Sequence, residues 1–146
     1  MRDDLPLSVT HEVRDGCLCL HLQRAARAVA RRFDLALKPF GLTNGQFSVL
    51  MSLNRPAPPR LGDVAALLAM DRTTLTAALK PLERRGLVRI EPDERDRRGR
   101  RLRLTDAGID ALVAAMPVWR ALHAEIDAGL APADPEGVRA TLRALS

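Results

Sequence analysis

Apolar residues recur along this chain with helical spacing in several separate stretches. From about Asp15 to Lys38, Leu18, Leu22, Ala25, Val29 and Leu37 form one stripe, flanked by Cys19, Ala26, Ala30 and Phe33. That period predicts a long helix, which Pro39 and Gly41 end. Residues 1–13 show no such stripe and are expected to form a loosely held arm. A second helix is predicted from Thr43 to Leu53, with Thr43 as N-cap and Phe47, Leu50 and Met51 on its apolar side. The run Asn54-Arg55-Pro56-Ala57-Pro58-Pro59 reads as a loop. A short third helix spans Leu61 to Ala69, with Leu61, Val64, Ala65 and Leu68 inward.

After a turn at Ala69-Met70, Asp71 caps a fourth helix from Arg72 to about Arg85, and Gly86 stands at the position that closes helices. Leu75, Leu79 and Leu82 share its inner face. Pro81 falls inside it, where proline removes a donor and clashes with the carbonyl of Ala77. The leucine spacing runs through Pro81, so a kink is expected rather than a stop. The period then changes to two. Leu87–Glu91 and Arg101–Leu104 alternate as strands of a hairpin. Thr105 caps a long helix from Ala107 to about Leu130, with a kink expected at Pro117, and Glu136–Leu145 forms a last short helix. The fold class is mainly α with a small β-wing.

Charge sharpens this outline. The chain has 146 residues and a net charge of +5, and nine arginines between Arg84 and Arg103 outweigh Glu91, Asp93, Glu94 and Asp96. That segment alone accounts for the whole excess, which points to a polyanionic partner. Its position matters as much as its sign. The outer face of the fourth helix holds Thr73, Thr76, Ala77, Lys80 and Arg84, small near its start and cationic further on. Small side chains let a helix approach base edges, and threonine offers a hydroxyl and a methyl to them. Arg72 and Thr74 lie in the first turn, where helix N–H groups favour phosphate, and Arg72 is placed there for phosphate or guanine. An amphipathic helix with a merely solvated face would more often carry Glu and Lys there.

The hairpin begins one residue after this helix ends. Helix, turn, recognition helix and two-stranded wing is the order of a winged helix. A wing tip with Arg95, Arg97, Arg98 and Arg100 suits a minor groove, whose negative potential attracts arginine. Asp96 would repel phosphate, so it reads as a brace that shapes the loop.

At these residues the chain resembles the MarR family of transcriptional regulators. The resemblance runs from about Gly16 to the last helix. It rests on Gly41-Leu42-Thr43-Asn44-Gly45-Gln46-Phe47, Asp71-Arg72-Thr73-Thr74-Leu75-Thr76, Leu82-Glu83-Arg84-Arg85-Gly86-Leu87-Val88, the wing Asp93-Glu94-Arg95-Asp96-Arg97-Arg98, and Leu104-Thr105-Asp106-Ala107-Gly108. It implies a single domain over residues 1–146, with dimerisation helices at 14–40 and 106–146 around a DNA-binding lobe at 42–105. It further implies a homodimer on a pseudo-palindromic operator in double-stranded DNA, a recognition helix in each major groove and a wing in each minor groove. Asp96 and Arg98 take the places of the wing acid and the minor-groove arginine. The implied outcome is repression, relieved by a small ligand or an oxidant.

Cys17 and Cys19 open the first predicted helix. Two residues apart on a helix, their side chains would diverge by about 200°, which suits neither a shared metal nor a mutual disulfide unless that end is unwound. His21 shares a face with Cys17 and offers a thiolate–imidazole pair or half of a metal site, but two ligands fall short of a structural zinc centre. The plainer reading makes the cysteines small apolar residues and His21 a surface residue. The segment Leu18-Cys19-Leu20-His21-Leu22 resembles the organic-hydroperoxide-sensing branch of the family, which marks Cys19 as a candidate redox thiol. The tyrosines that hold the sulfur in that branch are replaced here by Phe33 and Asn44. A second trigger is a small aromatic effector, with His21, Arg24, Phe47, Met51 and Trp119 as candidate cleft residues.

The sequence holds no Gly-rich phosphate loop, no Ser–His–Asp set and no complete metal signature, so neither an enzyme nor a cofactor is expected. No apolar run is long enough for a bilayer and no export signal is present, so a cytoplasmic setting without membrane contact is expected. The rival to operator binding is a winged helix used for protein or RNA contact.

Overall fold

The computed structural model describes residues 2, 4–94, 96 and 99–146. Helices α1 (Leu7–Gly16), α2 (Leu18–Leu37), α3 (Asn44–Ser52), α4 (Leu61–Leu67) and α5 (Arg72–Arg84) precede strands β1 (Val88–Pro92) and β2 (Arg100–Leu104), and α6 (Asp106–Gly129) and α7 (Pro135–Arg143) follow. The molecule is thus mostly helical with one antiparallel hairpin, as expected. The hairpin pairs Val88 with Leu104 and Pro92 with Arg100.

Local chemistry sets most element ends. The Thr43 hydroxyl accepts from Gln46 N–H at 3.2 Å while the Gln46 side chain accepts from Thr43 N–H at 3.1 Å, a closed capping box at the start of α3. Gly86, at φ +70°, ends α5 in the left-handed region open to glycine. At the next junction the Thr105 hydroxyl donates to Gly86 O at 2.7 Å and accepts from Gly108 N–H at 3.1 Å. A Cβ on Gly108 would lie 2.3 Å from Leu87 O, so only glycine lets α6 pass this close to the hairpin.

The core joins α2, α3, α4, α5, the hairpin and α6. Leu37, Leu50, Val49, Val64, Leu75, Leu79, Leu82 and Leu102 are fully enclosed. The stripe Leu75, Leu79 and Leu82 lies inward as the spacing predicts, and α5 continues through Pro81.

Two expectations fail at the N-terminus. Residues 7–16 form helix α1 rather than a loose arm, and the long helix does not begin at Asp15. The chain breaks at Cys17, which is extended (φ −77°, ψ 103°) and caps α2 by accepting Leu20 N–H on its sulfur at 3.4 Å. A residue that caps one helix cannot continue the preceding one, so the long helix starts at Leu18 and a separate helix stands where the arm was expected.

Neither α1 nor α7 contains a buried residue. Leu7, Leu18, Leu142 and Leu145 stand exposed at 48%, 57%, 45% and 56%. No helix among the described residues is long and apolar enough to cross a membrane.

Candidate nucleic-acid interface

The outward face of α5 is open. Arg72, Thr73, Thr74, Thr76, Ala77, Lys80 and Arg84 are all exposed, while the leucines behind them anchor the helix to the core. The side chains differ in what they have left to offer. Thr74 donates its hydroxyl to Asp71 at 2.6 Å, and Thr76 donates to Arg72 O at 2.7 Å. Both hydroxyl protons are spent on the helix, so Thr76 presents a lone pair and a methyl outward. The Thr73 hydroxyl has no protein partner among the described residues.

The α5 N-terminus is already occupied by an anion. Asp71 accepts Thr74 N–H at 2.7 Å, and its hydrogen bonds from the Thr74 hydroxyl and N–H hold its carboxyl below the usual range. The first turn therefore has side chains, more than bare helix N–H groups, to offer an anion.

The wing is tied to the body by a buried carboxylate that sequence reading missed. Asp93 is 2% exposed and accepts from Arg60 Nε at 2.9 Å and from Arg101 Nε at 3.1 Å. Arg60 precedes α4 and pairs in an isolated antiparallel bridge with Arg101, while Leu102 N–H donates to Pro59 O at 3.0 Å. Arg101 Nη1 also reaches Pro58 O at 3.0 Å. The Pro-rich loop thus acts as a third edge to the hairpin. A Cβ on Gly99 would meet Asp93 Cβ at 3.1 Å, so the turn fits closely over this brace. Asp96 helps to close the same turn by accepting Gly99 N–H on its carbonyl at 2.7 Å. Arg100, which opens β2, is exposed; Arg95, Arg97 and Arg98 lie outside the described residues.

The candidate effector residues separate into two groups. Phe47, Met51 and Trp119 line one cleft of about 380 Å³ with Leu67, Leu68 and Arg55. Trp119 stacks on Phe47 with ring centroids 6.0 Å apart and lies 4.2 Å from His123, which also faces Phe33 at 5.1 Å. His21 and Arg24 do not line this cleft. They sit twelve and nine residues before Phe33 on α2, which at helical rise puts them about 18 and 14 Å along the axis. His123 and Arg55 stand nearer, and sequence reading named neither. Each stands four residues after a cleft residue, Arg55 after Met51 and His123 after Trp119, so local spacing was the signal that could have found both.

Cys17 and Cys19 are both free thiols, the first partly buried and the second exposed. Gln23 Nε2 donates to the Cys19 sulfur at 3.2 Å, and His21 Nε2 lies 3.1 Å from Asp15 O rather than against either thiol. Because Cys17 is extended, the divergence expected of an unbroken helix does not hold between the two sulfurs. Phe33 is buried against Trp119 and His123, and Asn44 N–H donates to Asp34 Oδ1 at 2.7 Å.

Comparison with known proteins converges on one family. The sequence profile of the MarR family matches residues 42–99. The transcriptional activatory protein BadR of Rhodopseudomonas palustris is 35% identical over 113 residues, covering 75% of this chain and 65% of BadR, so the chain spans just under two thirds of that relative. The M. tuberculosis transcriptional regulator MosR, solved in complex with DNA, superposes with a TM-score of 0.81 at 39% identity, covering 88% of this chain and 92% of MosR. The transcriptional repressor CouR, bound to a 23-mer DNA duplex, gives a TM-score of 0.79 at 29% identity over 92% of this chain and 94% of CouR. With the helix–turn–helix–wing order and the capping signature at α3, α5 and α6, the chain belongs to the MarR family of winged-helix transcriptional regulators.

Proposed function

We propose that the protein is a sequence-specific DNA-binding transcriptional regulator that binds a pseudo-palindromic operator as a homodimer. The observation that carries this reading is the outer face of α5. Thr73, Thr76, Ala77, Lys80 and Arg84 are exposed together, with Glu83 as the one acid within α5, on a helix braced from behind by three enclosed leucines. Thr73 and Thr76 read base edges, and Lys80 and Arg84 meet the backbone. Arg95, Arg97, Arg98 and Arg100 enter the minor groove, a role that rests on sequence and on family resemblance. MosR and CouR, each solved with DNA, support the same partner.

The homodimer follows from the two helices without buried residues. Helices of ten and nine residues are marginal alone in water, so α1 and α7 need a partner surface. The exposed leucines on α1, α2 and α7 supply the matching apolar face, and a second copy offers that face by two-fold symmetry. Half-sites then lie about one DNA turn apart or a multiple of it. Light scattering of the purified protein should give twice the mass of the chain.

A dimer seated on a promoter excludes polymerase, and repression is the proposed outcome. BadR carries an activatory name and CouR is called a repressor, so both outcomes occur among relatives. Release is assigned either to a small aromatic anion in the Phe47–Met51–Trp119 cleft, with Arg55 at hand as its cation, or to oxidation of Cys19 with Cys17 as a second thiol. Sequencing genomic fragments captured by the protein tests the reading. A shared inverted-repeat motif supports it; fragments without any common motif contradict it and favour a protein- or RNA-contact module.

A further inference from the structure

The first turn of α5 holds a cation whose direction decides its role. Arg72 does not reach along the outward face of its helix. Its guanidinium lies back over the first turn of α4, where a Cβ built on Gly62 would sit 3.1 Å from Arg72 Nη2, 3.7 Å from Cζ and 3.8 Å from Nε. The nearest of these is the terminal Nη2, so the guanidinium rests against the first turn of α4 through one end of its fork. No acidic side chain among the described residues pairs with it, since Asp71 is engaged by Thr74 and Asp93 by Arg60 and Arg101. Arg72 borders a notch of about 360 Å³ between the start of α4 and the wing base, where Arg60, Asp63, Asp96 and Arg100 also stand.

We propose that Arg72, seated on Gly62, is a positioning residue that binds one DNA backbone phosphate per protomer where the strand passes between recognition helix and wing, and that it reads no base. This rests on the DNA-binding reading above. A guanine contact would need the fork to extend into the groove and approach O6 and N7 edge-on. A guanidinium laid back against α4 presents its fork at the groove's rim, where phosphates run, and arginine's planar donors match phosphate oxygens in pairs. Asp71 denies phosphate the helix end itself, leaving this side chain as the nearby donor.

The test compares Arg72→Ala and Gly62→Ala with the parent protein. Binding to the captured operator and to base-substituted copies is measured across a range of salt. Removing one phosphate contact from each protomer lowers the salt slope by about 1.8 in a dimer, so the affinity lost by Arg72→Ala shrinks about twelvefold between 50 and 200 mM salt. The ranking of base-substituted operators stays as in the parent. Gly62→Ala crowds only the far end of a flexible side chain, and alanine suits a helix better than glycine, so its melting temperature holds or rises. Its binding weakens equally on all sequences. A changed base ranking in Arg72→Ala at unchanged slope overturns the proposal, as does parent-like binding by Gly62→Ala. If the parent protein binds no duplex in a salt-dependent way, it is the DNA-binding reading that has failed.

Discussion

Replacing Asp93 with Asn removes the buried negative charge at the base of the wing while keeping its shape beneath Gly99. In the parent, the 2%-exposed carboxylate accepts from Arg60 and Arg101, which are 50% and 32% exposed. A hydrogen bond to a charged group contributes roughly 1.5–3 kcal/mol. Both arginines keep water contact after the change, so the lower end applies with a discount, and the pair together is worth about 2 kcal/mol. In a domain of this size that lowers the melting temperature by about 4–8 °C. Most of the loss should appear locally, because Asp93 joins the hairpin to the loop before α4. Amide hydrogen exchange read by mass spectrometry is the suitable assay. The Asp93 and Leu102 amides, bonded to Gly99 O and Pro59 O, should exchange up to about 30-fold faster, and those of α3 and α5 far less. Wing exchange and melting identical to the parent would refute the claim that this carboxylate holds the wing.

Thr76→Ala should change base preference with little change in salt slope, since Thr76 offers an outward methyl and lone pair but no charge; selection from a randomised operator pool reads this. Asp71 has its carboxyl lowered by hydrogen bonds from Thr74, so its capping contribution is complete at neutral pH and is lost as pH falls through that lowered value. Asp71→Asn should therefore flatten the acid side of a plot of melting temperature against pH, and an unchanged acid limb would count against the cap. Leu79, fully enclosed, should cost about 2–5 kcal/mol on truncation to Ala in denaturant titration. Cys19→Ser should retain DNA binding but no longer release it on treatment with cumene hydroperoxide; unchanged release would remove the oxidant trigger.

What the sequence revealed and what it hid divide along the distance between interacting residues. The caps Thr43 and Asp71, and Gly86 closing α5, act within a turn, and each was legible from spacing alone. The outward face of α5 was equally plain, because its leucines and threonines lie on one helical period. The brace of Asp93 on Arg60 spans 33 residues and joins a loop to a hairpin, which no local period records. The seating of Trp119 and His123 against Phe33 was likewise set by the packing of α6 on α2. Helix α1 was missed because Pro6 gives it no side-chain cap and it buries no residue, so no inward stripe marks it. The break at Cys17 was hidden because the apolar stripe begins only at Leu18, although the cysteine itself is the cap.

The central claim is that α5 and the wing bind a specific DNA sequence. It is tested most directly by measuring affinity for the captured operator and for a scrambled duplex across salt concentrations. The account predicts an operator preference of about a thousandfold or more, with log affinity falling against log salt at a slope of about −5 to −9, as six to ten phosphate contacts require. Equal affinity for both duplexes, or a slope near zero, would contradict it.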